Sequence, residues 1–365
     1  MQPKRILHVT SVLNFGGIET LIMNIFRSID REKLVFDFLV VREEKGVFES
    51  EILSLGGKIY KIPALKKSGY FSFKRALSNF FREHGEYDTV HCHLNAISSI
   101  VLKAAKENGI EKRIAHAHTA FPKYSFTEKL IKSYFKKSIK KHATDFLACS
   151  KEASDWLYGK DFELSTILKN GIDTKLFSFS HKKRDEIRQK LNLENKFVII
   201  NVGRFSKEKN HSLLIKIFKE VLCVKPDAVL ICIGDGKLKE KIKKEIASSA
   251  LNDKIIILNA RLDVYDFLCA SDVYVSTSTF EGFGNSAVEA QFNSLPCILS
   301  DGFSNEVDIS KNCKFLSFKN SPKEWASVII NYSRESVLPL PKCSYENFDI
   351  SAIATSLTDF YFKNN

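Results

Sequence analysis

The sequence predicts an α/β chain: two Rossmann-like β/α/β domains facing across a cleft. Three observations carry this. Short β-branched runs alternate with segments of helical spacing along the chain. The alternation stops at a polar stretch, SFSHKKRDEIRQKLNLENK, and then restarts. The length, 365 residues, suits two domains better than one. Strand–helix alternation implies parallel sheets covered by helices on both faces.

In order, the first half reads as strand RILHVTSV, helix GGIETLIMNIFRSI, strand VFDFLVV, a helix FESEILSLGG ending at Gly56-Gly57, and strand KIYKIP. Helix FSFKRALSNFFREHG, strand YDTVHCH, helix ISSIVLKAAKENG and strand KRIAHAH follow, and DFLACS and LSTILKNGID complete this half. The second half restarts with strand KFVIINVGRF, helix NHSLLIKIFKEVLCV, strand DAVLICIGDG and helix KLKEKIKKEIAS. Strands KIIILNA and DVYVSTS follow, with a helical turn DVYDFLCA between them, then helix NSAVEAQFN and strand PCILSD. An amphipathic helix, ISAIATSLTDFYFKN, ends the chain. The polar stretch marks the boundary, giving domains 1–180 and 181–345 and a final helix over 346–365.

Composition narrows the function classes. The chain is 44% apolar and 27% charged, ordinary for a soluble globular protein. A net charge of +12 suits an anionic partner: nucleic acid, a membrane surface or a phosphorylated substrate. The densest run of lysines lies on one helical stretch, Lys123 to His142, and no RNA-binding or zinc-finger signature is present, so nucleic acid is not expected. The eight cysteines form no C-x-x-C pair and mostly sit in apolar runs, which points to a reducing, cytoplasmic compartment. The N-terminal apolar run reads as a first strand rather than a signal peptide. No run approaches about 18 apolar residues, so no membrane span is expected.

In open α/β sheets ligands sit beyond the carboxyl ends of strands, and the chemistry-bearing stretches fall there. Gly16 and Gly17 follow the first strand and lead into a helix, whose free N–H groups suit an anion. In NVGRFSKEKN, Arg204 and Lys209 put two cations on one post-strand loop, a clamp for a diphosphate. In STFEGFGNSAVEAQFNSLPCILSD, Glu281 and Glu289 bracket Gly282, Phe283, Gly284 and Asn285. Asn285 is a candidate N-cap, Glu289 an early-helix acid able to accept from paired ribose hydroxyls, and Glu281 a loop acid suited to a sugar. The Gly282 to Gly284 amides suit phosphate or sugar oxygens.

Other readings stand beside these. Gly282-x-Gly284-x-x-Ala287, with Asp301 after the next strand, imitates a dinucleotide fingerprint, but TSTFE separates it from its strand and the unit comes late in the chain. His91 with His93, and His116 with His118, each point to one face of a strand. With no Asp-x-Asp and no H-E-x-x-H, carboxylate co-ligands are not supplied and no metal is expected; one functional histidine at the end of AHAH is the better reading. The stretch Lys123 to His142 sets an apolar stripe (Leu130, Ile131, Tyr134, Phe135, Ile139) among lysines, and could lie on an anionic membrane or be an ordinary surface helix.

Taken together, Gly16-Gly17, VGRFSKEKN and the E-x7-E pair Glu281/Glu289 resemble the family 4 retaining glycosyltransferases of the GT-B fold. EAQFNSLPCILSD followed by EVDI and FLSF is similar to the bacterial branch that builds capsular, exopolysaccharide or O-antigen chains. The resemblance implies an acceptor-binding N-terminal domain, a nucleotide-sugar-binding C-terminal domain and a last helix returning to the first. It implies that Gly16 and Gly17 lie near the donor diphosphate, Arg204 and Lys209 bind it, and Glu289 holds the ribose. Glu281 and the amides of Phe283, Gly284 and Asn285 would meet the donor sugar or phosphate, and His118 would stand beside the reacting sugar. It further implies a uridine diphosphate (UDP) sugar as donor, a lipid-linked saccharide as acceptor at the inner face of the membrane, and neither metal nor cofactor. Asn285 departs from the family pattern beside the sugar. A sugar-nucleotide epimerase of the same fold, a nicotinamide-dependent oxidoreductase using the Gly282 loop and a non-catalytic assembly subunit are the competing readings.

Overall fold

In the computed structural model the described residues are 2–118, 126–160, 162–334 and 340–363, with only the backbone described for 126–132, 342 and 343. The chain forms two compact units, Met1–Ile172 with Asn347–Asn365, and Asp173–Glu346.

The first unit holds seven parallel strands: β1 Lys4–Thr10, β2 Leu34–Val40, β3 Ile59–Lys61, β4 Thr89–Cys92, β5 Lys112–Ala117, β6 Asp145–Ala148 and β7 Ser165–Ile167. Their order is β3-β2-β1-β4-β5-β6-β7. Every residue of β2 is buried, as a strand covered on both faces requires. Helices on one face bury Phe73, Leu77, Phe81 and Val101 against the sheet, together with Leu7, Val9 and Val90. On the other face the helix Gly17–Ser28 sets Leu21, Ile22, Ile25 and Phe26 on Phe36 and Phe38. The helix Ile350–Phe362 packs on this second face through Ile350, Ala354, Leu357 and Tyr361, spaced three to four residues apart. Asp349 caps it by accepting from the Ser351 and Ala352 N–H groups, and Ile172 pairs with Asp349 in a parallel bridge.

The second unit has six parallel strands: β8 Val198–Val202, β9 Val229–Ile233, β10 Ile255–Leu258, β11 Val273–Ser276, β12 Cys297–Ser300 and β13 Cys313–Leu316, in the order β10-β9-β8-β11-β12-β13. Both sheets follow one plan. The strand order reverses between β1 and β4 in the first and between β8 and β11 in the second, where ligands of such sheets bind.

The polar boundary stretch is in fact structured. His181–Lys190 is a helix of the second unit, capped by the Ser180 hydroxyl, which accepts from the Lys183 N–H. Its anchors are arginines: Arg184 and Arg188, one turn apart, both pair with Asp272, and Arg184 also donates to the Cys269 and Ser271 carbonyls. An apolar stripe, the usual sequence signal of a docked helix, is replaced here by charge. Residues before it also join this unit: the Asn293 side-chain amide donates to the Phe177 carbonyl at 3.0 Å. The division therefore falls after Ile172 and after Glu346, not after 180 and 345.

Candidate functional site

At the order reversal of the second sheet, the loops after β8 and β11 lie side by side. The Thr279 N–H donates to the Glu208 carbonyl at 2.7 Å and the Thr277 hydroxyl to the Asn210 carbonyl at 3.0 Å. Phe205 is fully buried and stacks on His211, ring centroids 4.4 Å apart. It anchors the first loop and leaves its neighbour Arg204 exposed. Lys209 closes a single 3-10 turn and forms an ion pair with Glu281. The Ser278 hydroxyl donates to the same Glu281 oxygen at 3.3 Å.

Arg204, Lys209 and Glu281 thus share one patch, with Gly282 and Phe283 half-buried beside them. The helix Asn285–Phe292 begins there, and its cap is Gly284, not Asn285. Gly284 has φ +83°, and a Cβ at that position would meet the Phe303 ring at 2.6 Å. A left-handed turn with no room for a side chain selects glycine, which moves Asn285 into the first helical position. Glu289 consequently lies in the second turn, too far along for helix-dipole stabilisation to account for it. Desolvation raises its pKa to about 7, although one edge of the residue is accessible, and among the described residues its carboxylate accepts no hydrogen bond.

Ser286 carries no sequence signal. Its hydroxyl donates to the Val202 carbonyl at 3.1 Å and meets the Tyr274 hydroxyl at 2.9 Å, tying the helix start to the end of β8 and to β11. The dinucleotide imitation has no matching geometry: β11 ends at Ser276, well before Gly282. Asp301 is spent on the Phe318 N–H at 3.1 Å.

In the first unit, Gly16 is the N-cap of the helix Gly17–Ser28, in extended conformation. His118 follows β5 directly, and His93 follows β4. The histidines do not stand apart as two pairs. They join His8, which neighbours His91 in the β1–β4 register, in one buried cluster. Contacts run from His118 Nε2 to His93 Nδ1 (2.8 Å), from His93 Nε2 to His8 Nδ1 (3.0 Å), and from His91 Nε2 to His116 Nδ1 (3.0 Å). The Tyr361 hydroxyl bridges the two arms, 2.6 Å from His91 Nδ1 and 3.5 Å from His8 Nε2. Desolvation lowers His8 and His118 to about 3 and holds His91, His93 and His116 well below the usual imidazole value. His8, His91 and His93, and likewise His93, His116 and His118, bring ring nitrogens within 4.8 Å of one another. That spacing would suit a metal, but most of these nitrogens are engaged with one another. His8 and Tyr361 were not singled out in the sequence; strand register and the returning helix bring them in.

The basic helix spans Phe126–His142; Lys123 to Ser125 lie outside the described residues, as do the side chains of Leu130 and Ile131. Of the remaining stripe, Ile139 is in the core, Phe135 packs against it and only Tyr134 is exposed. Lys136 and Lys140 lie over the Trp156 and Phe162 rings. This part of the stripe is core-facing, and Lys137, Lys140 and Lys141 are exposed. Among the described residues no helix is long and apolar enough to cross a membrane.

Two doubly wound units of this kind make a two-domain α/β protein of the GT-B fold, and the sequence relatives supply its activity. The family described as Glycosyltransferase Family 4 matches residues 15–176, and that described as Glycosyl transferases group 1 matches residues 183–343. EpsF of Bacillus subtilis (strain 168), which carries the name of a glycosyltransferase, is 32% identical over 89% of this chain and 87% of its own. An Escherichia coli UDP-Gal:alpha-D-GlcNAc-diphosphoundecaprenol alpha-1,3-galactosyltransferase is 25% identical over 98% of this chain and 96% of its own. The crystal structure of Anabaena HepE in complex with UDP-glucose superposes with a TM-score of 0.80 at 19% identity, covering 98% of this chain and 99% of that one. The chain belongs to the family 4 glycosyltransferases, in the bacterial surface-polysaccharide branch.

Proposed function

We propose that this enzyme is a retaining transferase. It moves a sugar from a UDP-sugar to a lipid-linked saccharide as a bacterial capsular, exopolysaccharide or O-antigen chain is assembled. The relatives support the class of substrate: the E. coli enzyme is named for a diphosphoundecaprenol acceptor, a Staphylococcus aureus relative for capsular polysaccharide biosynthesis, and HepE holds UDP-glucose. The observation that carries the reading is the convergence of Arg204, Lys209, Glu281 and Glu289 at one strand-order reversal.

On this reading the exposed Arg204 grips the diphosphate, and Lys209 exchanges Glu281 for phosphate. Both stabilise charge as the diphosphate leaves the anomeric carbon, helped by the N–H groups at the start of Asn285–Phe292. Glu281, freed from Lys209, accepts from donor-sugar hydroxyls, and the amides of Gly282, Phe283, Gly284 and Asn285 meet sugar or phosphate oxygens. Glu289 accepts from the two ribose hydroxyls, which supply the partners its carboxylate lacks. Gly16 and Gly17 approach the diphosphate and His118 the reacting sugar. The acceptor hydroxyl attacks on the face the diphosphate leaves, so the new C–O bond keeps the anomeric configuration. The acceptor's proton passes to the departing diphosphate, which gains negative charge as the bond to the anomeric carbon breaks. No metal or cofactor is assigned; the nucleotide-sugar is a substrate. Lys137, Lys140 and Lys141 would hold the enzyme to the anionic inner face of the membrane, each worth about 1 kcal/mol. Charge-neutral variants of these three should lose binding to anionic vesicles.

Calorimetric titration with nucleoside diphosphates and their sugars, without added metal, tests the donor site. Tight binding of a UDP-sugar, lost in Arg204→Ala and Glu289→Ala, is expected. Binding of NAD with no response to sugar nucleotides would overturn the proposal.

A further inference from the structure

The histidine cluster has one topology. Its hydrogen bonds form a single unbranched line: His118, His93, His8, Tyr361, His91, His116. A neutral imidazole has one N–H and one lone pair, and each interior imidazole has both nitrogens engaged. One choice of direction then sets every proton. Either all five histidines are Nε2–H and the phenol donates to His91, or all five are Nδ1–H and the phenol donates to His8. A break within either arm would put two donors or two lone pairs face to face, and a break at Tyr361, with its oxygen accepting from both His8 and His91, would leave the buried phenol O–H without a partner. An extra proton would be a buried imidazolium, which the burial of these rings disfavours.

We infer that this line is proton-ordered in the all-Nε2–H sense, and that it thereby holds the nitrogen His118 leaves free, Nδ1, as a lone pair. One observation and one intrinsic preference select the direction. The Tyr361 oxygen lies 2.6 Å from His91 Nδ1 but 3.5 Å from His8 Nε2. Contacts with a hydroxyl donor are the shorter kind, so the phenol donates to His91 and accepts weakly from His8. The Nε2–H form is also the one free histidine favours in water, and this direction asks it of all five rings. The far end, His116 Nε2, is buried without a partner; in this order it is an N–H, and that one unpaired donor is the cost this direction carries. Tyr361, on the last helix of the chain, thus acts on His118 through His8 and His93 as a positioning residue. The consequence for catalysis rests on the proposed function: a neutral His118 that accepts from a sugar hydroxyl rather than donating to a sugar oxygen.

Nitrogen-15 NMR of protein labelled at histidine, without substrate, reads the tautomers directly. His118 is expected to show Nε2 protonated and Nδ1 bare at neutral pH, with N–N coupling to His93 across the hydrogen bond. Tyr361→Phe keeps the ring and removes both the donor to His91 and the acceptor for His8. A buried N–H on His8 is then orphaned, and flipping His8, His93 and His118 to Nδ1–H relieves it, so His118 changes tautomer in a variant that does not touch it. Turnover should fall about tenfold, the worth of one hydrogen bond, with nucleotide affinity unchanged. A His118 carrying its proton on Nδ1 in the wild type would overturn the inference, as would a tautomer indifferent to Tyr361→Phe, or zinc retained by the purified protein. If Tyr361→Phe does not fold, the wild-type tautomer and the N–N coupling decide alone. Because no substrate is present, a failed wire and a failed donor site give separate signatures.

Discussion

The two sheets reverse their strand order in the same way, and the two reversal points are chemical opposites. In the second unit the point is charged and accessible, with an exposed Arg204, a Lys209–Glu281 ion pair and a Glu289 carboxylate that lacks a partner. In the first unit it is closed and neutral, five imidazoles and a phenol bonded mainly to one another. One topology can present either a site that awaits a charged ligand or one that fixes the hydrogen-bonding state of a single side chain. What differs is whether loops or buried strand residues supply the groups.

The contrast has a pH signature, and the largest expected effect would break it outright. The five histidines have folded pKa values far below the ordinary 6.5. Their contribution to stability is therefore present above about pH 6.5 and lost as the pH falls. Unfolding the first unit at pH 5.5 should take up close to five protons, each worth about 1.4 kcal/mol per pH unit. The two tryptophans report the units separately, Trp156 in the first and Trp325 in the second. Urea midpoints in Trp325→Phe should drop steeply between pH 7 and 5.5, and those in Trp156→Phe much less. Equal drops would end the comparison.

Glu289 runs the other way. Its folded pKa is raised from 4.5 to about 7, so the second unit is favoured below pH 4.5 and weakened as the pH rises through 7. Glu289→Gln should stabilise that unit by about 3 kcal/mol at pH 8 and leave it unchanged at pH 4, while nucleotide binding is lost. In the wild type, nucleotide affinity should rise with pH through about 7. Flat affinity across that range would remove Glu289 from the ribose. The smallest effect sharpens the loop side: Gly284→Ala should cost about 2 kcal/mol, from its positive φ and from Phe303, and weaken nucleotide binding while leaving the Trp156 transition in place. An unchanged Trp325 midpoint would contradict the cramped turn.

Much of the candidate site was legible because its signals are local. Arg204 and Lys209 sit on one short loop after a strand, and Glu281 and Glu289 flank one turn. What stayed hidden depends on distant parts of the chain. Asn285 reads as a cap because its side chain suits one; Gly284 takes the position because Phe303 leaves no space for a Cβ. The helix His181–Lys190 reads as linker because its docking partner, Asp272, lies far along the chain. Lys123–His142 reads equally as a membrane-facing or an ordinary surface helix, and only the packing of the first unit shows that Ile139 and Phe135 meet the core.

By itself the sequence determined the alternation of strand and helix, the two-unit plan and the charged residues of the post-strand loops. Hydrophobic period and turn chemistry are properties of neighbouring residues. Only the tertiary structure decided that Lys209 pairs with Glu281, that Glu289 is desolvated, and that His8 and Tyr361 join the histidines. A pKa or a hydrogen-bonded line depends on what stands opposite a group in space, and here that partner comes from another strand, another loop or the far end of the chain.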